Sequence, residues 1–279
     1  MASKKQIKKR VSSIKNIGKI TSALGMVSAS RVQKAQDKAL AARPYADKIY
    51  ELISSLAGEK DIKDISLLRQ PETVNNDLFV LISTNKGLVG NLNLALFGAL
   101  TKNFDDLPHK FITLGSKGRN FAIKNGLLIA DFSDKEPFVA NVPAIAEIVT
   151  SLFIEKEVDS VYLAYSSFVN VTLQIPTIKL LLPIGKKDYV THKKVSYSYE
   201  PSVNDVLSSL LVFYIENQIR EAIISAEASE HASRMIAMKN ASENANELSN
   251  LLSLEYNKAR QEAITAEIAD VVTSTESLS

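Results

Sequence analysis

From Val203 to Thr273 the chain contains neither proline nor glycine, and no other feature limits its fold as strongly. Within this stretch Val206, Leu210, Phe213, Met235, Met238, Ala241, Ala245, Leu248, Leu252, Ala259, Ala263 and Ala266 recur at mixed steps of three and four. That is the period of an amphipathic helix. Seventy helical residues extend roughly 105 Å at 1.5 Å per residue. Few globular domains are that wide, so most of such a helix must project or pair with another.

The opposite end supplies a partner. Ile7, Val11, Ile14, Ile17, Ile20, Leu24 and Val27 recur at helical spacing, which predicts one apolar face. Ala35, Ala39, Ala42, Ala46, Ile49, Ile53 and Leu56 then alternate steps of four and three, the 3.5-residue period of a coiled-coil seam. Alanine at most of these positions lets a second helix come close. Gly18 and Gly25 stand where better helix formers are usual, at about 1 kcal/mol each relative to alanine. Pro44 is expected to kink the helix, and Gly58 to end it. Charge supports the pairing. Residues 1–58 carry twelve Lys/Arg against three Asp/Glu, and residues 201–279 carry five against twelve, so net charges of +9 and −7 face one another across a neutral middle. The economical solution is an intramolecular antiparallel coiled coil, with residues from 264 onward outrunning their partner.

The middle of the chain reads differently. DLFVLIST (77–84), KFITLGS (110–116), GLLIADF (126–132) and DSVYLAYS (159–166) are short apolar runs of buried-strand type. Helical segments near 91–103, 117–125 and 143–156 alternate with them, the pattern of a small parallel, Rossmann-like α/β domain. Residues 169–184 resemble one or two further strands, at an edge because of Pro176. The fold class is therefore α/β: a long antiparallel coiled coil of the N- and C-terminal helices plus a central Rossmann-like domain. Its expected parts are a helix at 1–58, a polar connector at 59–76, the α/β domain at 77–200 and a helix at 201–279.

Signals for chemistry are weak. Gly87-Leu-Val-Gly90 and Gly115-Ser-Lys-Gly118 follow strands but match neither a Walker loop nor the three-glycine dinucleotide fingerprint. Ser83, Thr84 and Lys86 have no histidine near in sequence and no nucleophile-elbow motif. His109, His192 and His231 are scattered and expected at the surface, and zero cysteines exclude a disulfide framework and thiolate-bound metal. Glu227/Glu230 and Glu243/Glu247 are expected to form a solvated helix face. The basic first helix lacks interleaved aromatics and is neutralised by the acidic last one, so nucleic acid is not an expected partner. No apolar run reaches the roughly 18 residues of a membrane span. The lysine-rich start lacks a small-residue cleavage site and runs on in phase with the helix, so it is read as mature protein. No cofactor or metal is expected.

Longer motifs are more specific. IKKRVSSIKNIGKITSALGMVSASRVQKAQ (7–36) resembles the N-terminal signature of the gamma subunit of F-type ATP synthases. The segment 228–272 resembles its C-terminal signature, most specifically at Tyr256-Asn-Lys-Ala-Arg-Gln261 and Ile264-Thr-Ala-Glu267. STNKGLVGNLN (83–93) is similar to the family's first-strand motif, and YSYEP (197–201) to the lead-in of its last helix. The likeness spans essentially the whole chain. It departs at Val89 and Asn91, where the family usually has cysteine and glycine.

The resemblance implies a non-catalytic central-stalk rotor that binds no nucleotide, present as one copy per complex. It implies partners as well: the alpha and beta subunits of the catalytic hexamer, the epsilon subunit and the c-subunit ring, at the cytoplasmic face of the bacterial inner membrane. Ion flow would turn the ring, and the stalk would drive the catalytic sites through their states. Carried over by motif, Arg260, Gln261, Thr265 and Glu267 would meet loops of the catalytic subunits. Lys86, Leu88 and Val89 would lie near a catalytic subunit's lower lever, and Tyr197, Tyr199 and Glu200 near the c ring or epsilon. Read from the residues alone, Arg260 and Glu267 are ordinary helix surface charges. Two rival classes are an unrelated coiled-coil scaffold and a small α/β enzyme with helical arms. Coupling ion, ring size and working direction are not written in the sequence.

Overall fold

A computed structural model of the chain describes residues 4–56, 65–71, 76–104, 109–184 and 202–276. Gly58, Tyr197, Tyr199, Glu200 and His192 lie outside these described residues. The chain divides into two compact units, 1–28 with 234–279, and 29–233. Helices α1 (Lys4–Leu56) and α5 (Val203–Glu276) contribute residues to both.

In the first unit the two helices pair antiparallel. A Cβ added at Gly18 would lie 3.4 Å from the Cβ of Ala245, and one added at Gly25 would lie 3.7 Å from that of Met238. Facing residue numbers add to 263 in both cases, which fixes the register. The Ser242 hydroxyl donates to the Gly18 carbonyl at 3.2 Å. The seam differs from the expected face by one residue. Ile7 is buried and Val11 and Ile14 are half-buried, but the inward positions then continue through Gly18, Thr21, Gly25 and Ser28, still at alternating steps of four and three. Ile17, Ile20, Leu24 and Val27 are instead 45%, 59%, 38% and 53% exposed. The physical reason is size: the small residues let the helix axes close in, and the large apolar ones are turned outward. The glycines therefore serve the partner helix. On α5, Met238, Ala245 and Ser249 are buried, while Leu248 is exposed.

The second unit is built on a five-stranded sheet in the order β3-β2-β1-β4-β5. β1 (Asp77–Ile82), β2 (His109–Leu114), β3 (Gly126–Asp131) and β4 (Ser160–Phe168) are parallel, and β5 (Gln174–Leu182) is an antiparallel edge carrying Pro176. Helices α2 (Leu92–Asn103), α3 (Ser116–Asn125) and α4 (Val142–Ile154) are the crossovers. Alternation along β1 separates the two faces. Phe79 and Leu81 pack with Leu96 and Leu100 of α2 and Ala122 of α3. Leu78, Val80 and Ile82 join Ile145 and Val149 of α4, Ile49 and Ile53 of α1, and Leu211, Ile215 and Ile219 of α5. A strand buried on both sides reads as an unbroken apolar run, as this one does.

Local chemistry sets the boundaries. Ser202 caps the start of α5: its Oγ accepts the Asp205 N–H at 3.2 Å and donates to the Asp205 carboxylate at 2.6 Å. α1 runs through Pro44 as helix. The carbonyl left without a partner by the proline belongs to Leu40, which is exposed, so water can satisfy it. The connector is less polar than its composition suggests. Leu67 is buried in the core, and Arg69 reaches the Phe153 and Val158 carbonyls at 3.4 and 3.1 Å, its guanidinium 4.9 Å over the Phe153 ring. A cation at the C-terminus of α4 also suits that helix's dipole. Two histidines depart from the surface expectation. His109 and His231 are buried, His109 among Phe79, Phe104 and Phe111 with Nε2 donating to the Phe104 carbonyl at 2.9 Å.

Candidate functional site

Residues 83–91 link β1 to α2 at the carboxyl end of the parallel strands, where ligands usually bind in open α/β sheets. Gly115 (φ 98°) makes the arrangement possible, because a Cβ there would sit 2.2 Å from the Ser83 carbonyl oxygen. This close approach brings Ser83 Oγ to the Gly118 N–H at 2.7 Å, while its own proton faces the Leu114 and Gly115 carbonyls at 3.2 and 3.1 Å. Asn85 Oδ1 accepts the Ser116 N–H at 2.8 Å, and the Lys117 N–H donates to the Thr84 carbonyl at 3.2 Å. The N–H groups of Ser116, Lys117 and Gly118 in the first turn of α3 are thereby all taken by the chain itself. Ser83 and Thr84 are both buried. Thr84 Oγ1 donates to the Lys86 carbonyl at 2.9 Å and accepts from Asn93 Nδ2 at 2.8 Å. Both hydroxyls are scaffold.

The loop's outer part has other contacts. Lys86 is exposed. Leu88 adopts a left-handed backbone (φ 65°), a conformation costing an L-residue about 1–2 kcal/mol, and its side chain is 65% exposed. Val89 turns inward and is buried. Its carbonyl accepts the Ser233 hydroxyl of α5 at 2.7 Å and the Leu92 N–H at 3.3 Å. Of the three loop residues singled out by motif, two face outward and one is packed.

Asn85 extends the network to the loop after β3, donating to the Ser133 carbonyl at 2.8 Å and to Glu136 at 2.7 Å. Beside it, Asp131 accepts from Thr113 Oγ1 at 2.8 Å, from the Ser133 N–H at 3.1 Å and from the Ser133 hydroxyl, with Arg119 at 3.4 Å. Burial alone would raise the Asp131 carboxyl, but the Ser133 and Thr113 hydroxyls, the Ser133 amide and the Arg119 charge together hold it below its ordinary value. Among the described residues, no group of three or more His, Asp or Glu is placed to hold a metal ion.

On α5, Arg260, Gln261, Thr265 and Glu267 are all exposed. Gln261 and Thr265 share a shallow depression with Lys258, Glu262, Ala266 and Ala269, and Thr265 Oγ1 is turned back to the Gln261 carbonyl at 2.9 Å. At the register of 263, Lys4 faces residue 259, so this segment extends past the described part of α1. Ile264, Ile268 and Val271 beside it are exposed. These residues belong to the first unit and the loop to the second. In the second unit, Glu227 is partly exposed, with Lys38 of α1 at 3.9 Å and His231 Nε2 at 3.9 Å.

Sequence reasoning did not find the supporting residues Asn85, Asn93 and Ser233. Their side chains bond mainly to backbone groups, which leaves no spacing pattern to read. For Asn85 and Asn93 the one available signal was two asparagines flanking the glycines of 83–93.

Among the described residues, no helix is long and apolar enough to cross a membrane. The family model described as ATP synthase matches residues 3–278. The ATP synthase gamma chain of Methylacidiphilum infernorum is 38% identical over 290 residues, covering 98% of each chain. That of Brevibacillus brevis is 36% identical over 278 residues, covering 96% of each. Chains from two cryo-EM structures of the Euglena gracilis mitochondrial ATP synthase share the fold. One, from the rotor in rotational state 1, has a TM-score of 0.65 at 18% identity, covering 94% of this chain and 98% of that one. The other, from the OSCP/F1/c-ring assembly in rotational state 3, has a TM-score of 0.67 at 16% identity, covering 99% and 94%. With paired terminal helices and this end-to-end match, the chain belongs to the ATP synthase gamma-chain family.

Proposed function

We propose that this chain is the central rotor of an F-type ATP synthase, turned by the c-subunit ring and turning inside the alpha–beta hexamer, and that it has no catalytic activity of its own. The observation that carries the reading is the constant-register antiparallel pairing of its two ends, in a chain that matches the gamma family over its whole length. A paired, tightly seamed helix resists twisting better than either helix alone. The outward apolar stripe of Ile17, Ile20, Leu24 and Val27 suits a shaft enclosed by a close-fitting sleeve. A domain arrangement follows, with 1–58 and 201–279 as shaft, 59–76 as connector and 77–200 as foot. The partners are alpha, beta, epsilon and the c ring, with one copy of this chain per complex, at the cytoplasmic face of the bacterial inner membrane.

The glycines at 87–90 and 115–118 match neither a Walker loop nor the dinucleotide fingerprint, which supports the reading that this subunit has no nucleotide site. Arg260, Gln261, Thr265 and Glu267 are assigned to contacts with loops of the catalytic subunits, and Lys86, Leu88 and Val89 to their lower lever. Tyr197, Tyr199 and Glu200 are assigned to the c ring or epsilon. The test is reassembly with Arg260→Ala plus Gln261→Ala. Exposed substitutions of this kind change stability by no more than about 0.5 kcal/mol, so the melting temperature should hold while coupled ATP synthesis falls. Unchanged synthesis by the double variant would show these residues to be passive surface. ATP hydrolysis by the purified chain alone would refute the non-catalytic reading.

A further inference from the structure

We propose that Ser233 is a positioning residue: its hydroxyl ties the outer part of the 83–91 loop to α5, so that force received at Leu88 passes directly into the helix. The inference rests on the reading of this loop as a contact with a catalytic subunit, and adds the element that makes such a contact effective.

The geometry has three parts. Leu88 stands in a left-handed backbone with its side chain largely in solvent, a conformation that neighbouring structure must impose. Val89, next in sequence, is buried and is the fixed point. Its carbonyl has two lone pairs, one taken by the Leu92 N–H at the start of α2 and the other by Ser233 Oγ at 2.7 Å. One backbone oxygen thus joins the loop, the first turn of α2 and α5. The inner part of the loop is held independently through Thr84, Asn85 and Asn93, so removing the Ser233 hydroxyl frees only the outer segment. Without that bond, a push on Leu88 can be absorbed by backbone rotation at residues 86–90. With it, displacement of the loop requires displacement of α5.

The test uses the full chain and the reassembled complex. Ser233→Ala removes the donor, Ser233→Cys keeps the size but donates weakly, and Ser233→Thr keeps the hydroxyl. Amide hydrogen exchange across residues 86–91 is expected to rise about fivefold in the first two variants, the equivalent of one typical net hydrogen bond, and to return toward the original rate in Ser233→Thr. The melting temperature should stay nearly constant. In the complex, the alanine and cysteine variants should hydrolyse ATP with fewer ions moved per ATP, and the threonine variant should restore the ratio. Unchanged exchange in Ser233→Ala would overturn the tie itself. Faster exchange with an unchanged ion-to-ATP ratio would overturn its role in force transfer. Failure of the original chain to assemble with alpha and beta subunits would count instead against the rotor reading.

Discussion

Asp131 shows how the loops at the carboxyl end of the sheet hold one another. Two hydroxyls, an amide and a guanidinium converge on its carboxylate and outweigh the cost of burying it, so its proton is bound more weakly than the ordinary value of 3.8. A carboxyl depressed in the folded state contributes stability that is present above its unfolded value and lost as pH falls through the folded one. Asp131→Asn is therefore expected to cost about 2 kcal/mol near neutral pH, the scale of hydrogen bonds to a charged group. The difference from the original protein should shrink as the pH is lowered below 3.8. Denaturant melts at pH 7 and pH 3 check this, and a cost equal at both values would mean that shape and not charge holds the loop. Leu88 and Ser233 belong to the same scale, because a single carbonyl decides whether an exposed leucine is held firm or left free to yield.

At the level of the element, the pairing of α1 with α5 is set by what is missing from its seam. Gly18 and Gly25 each weaken an isolated helix, but they bring Ala245 and Met238 to within ordinary contact of where their own Cβ atoms would be. That spacing is close to the roughly 3.8 Å between Cβ atoms of a disulfide. Cysteines at Gly25 and Met238 should therefore oxidise to a bond within one chain, and the absence of native cysteine removes background. A bond forming only between two molecules, or none at all, would contradict the register. Both long helices, their antiparallel pairing and the strand–helix alternation are legible in the sequence, because long unbroken periods and buried strands carry strong signals. The inward face was not. Large apolar residues at helical spacing point to Ile17, Ile20, Leu24 and Val27, whereas close packing favours Gly18, Thr21, Gly25 and Ser28, each one residue further on. The motif at 83–93 marked the candidate loop, but the burial of Val89 and its tie to Ser233 depend on a backbone oxygen that no residue pattern reveals.

At the scale of the whole molecule, the chain has the attributes of a mechanical part. Buried polar side chains such as Ser83 and Thr84 fix the loops at the carboxyl end of the sheet, and the ends of the chain pair in a fixed register. A shaft acts by being turned, so its function exists only within the assembly. With a catalytic hexamer fixed to a surface and a visible probe attached through a cysteine replacing the exposed Ile123, added ATP should drive the probe round continuously in one direction. ATP hydrolysis by the same hexamer while the probe stays still would contradict the rotor account.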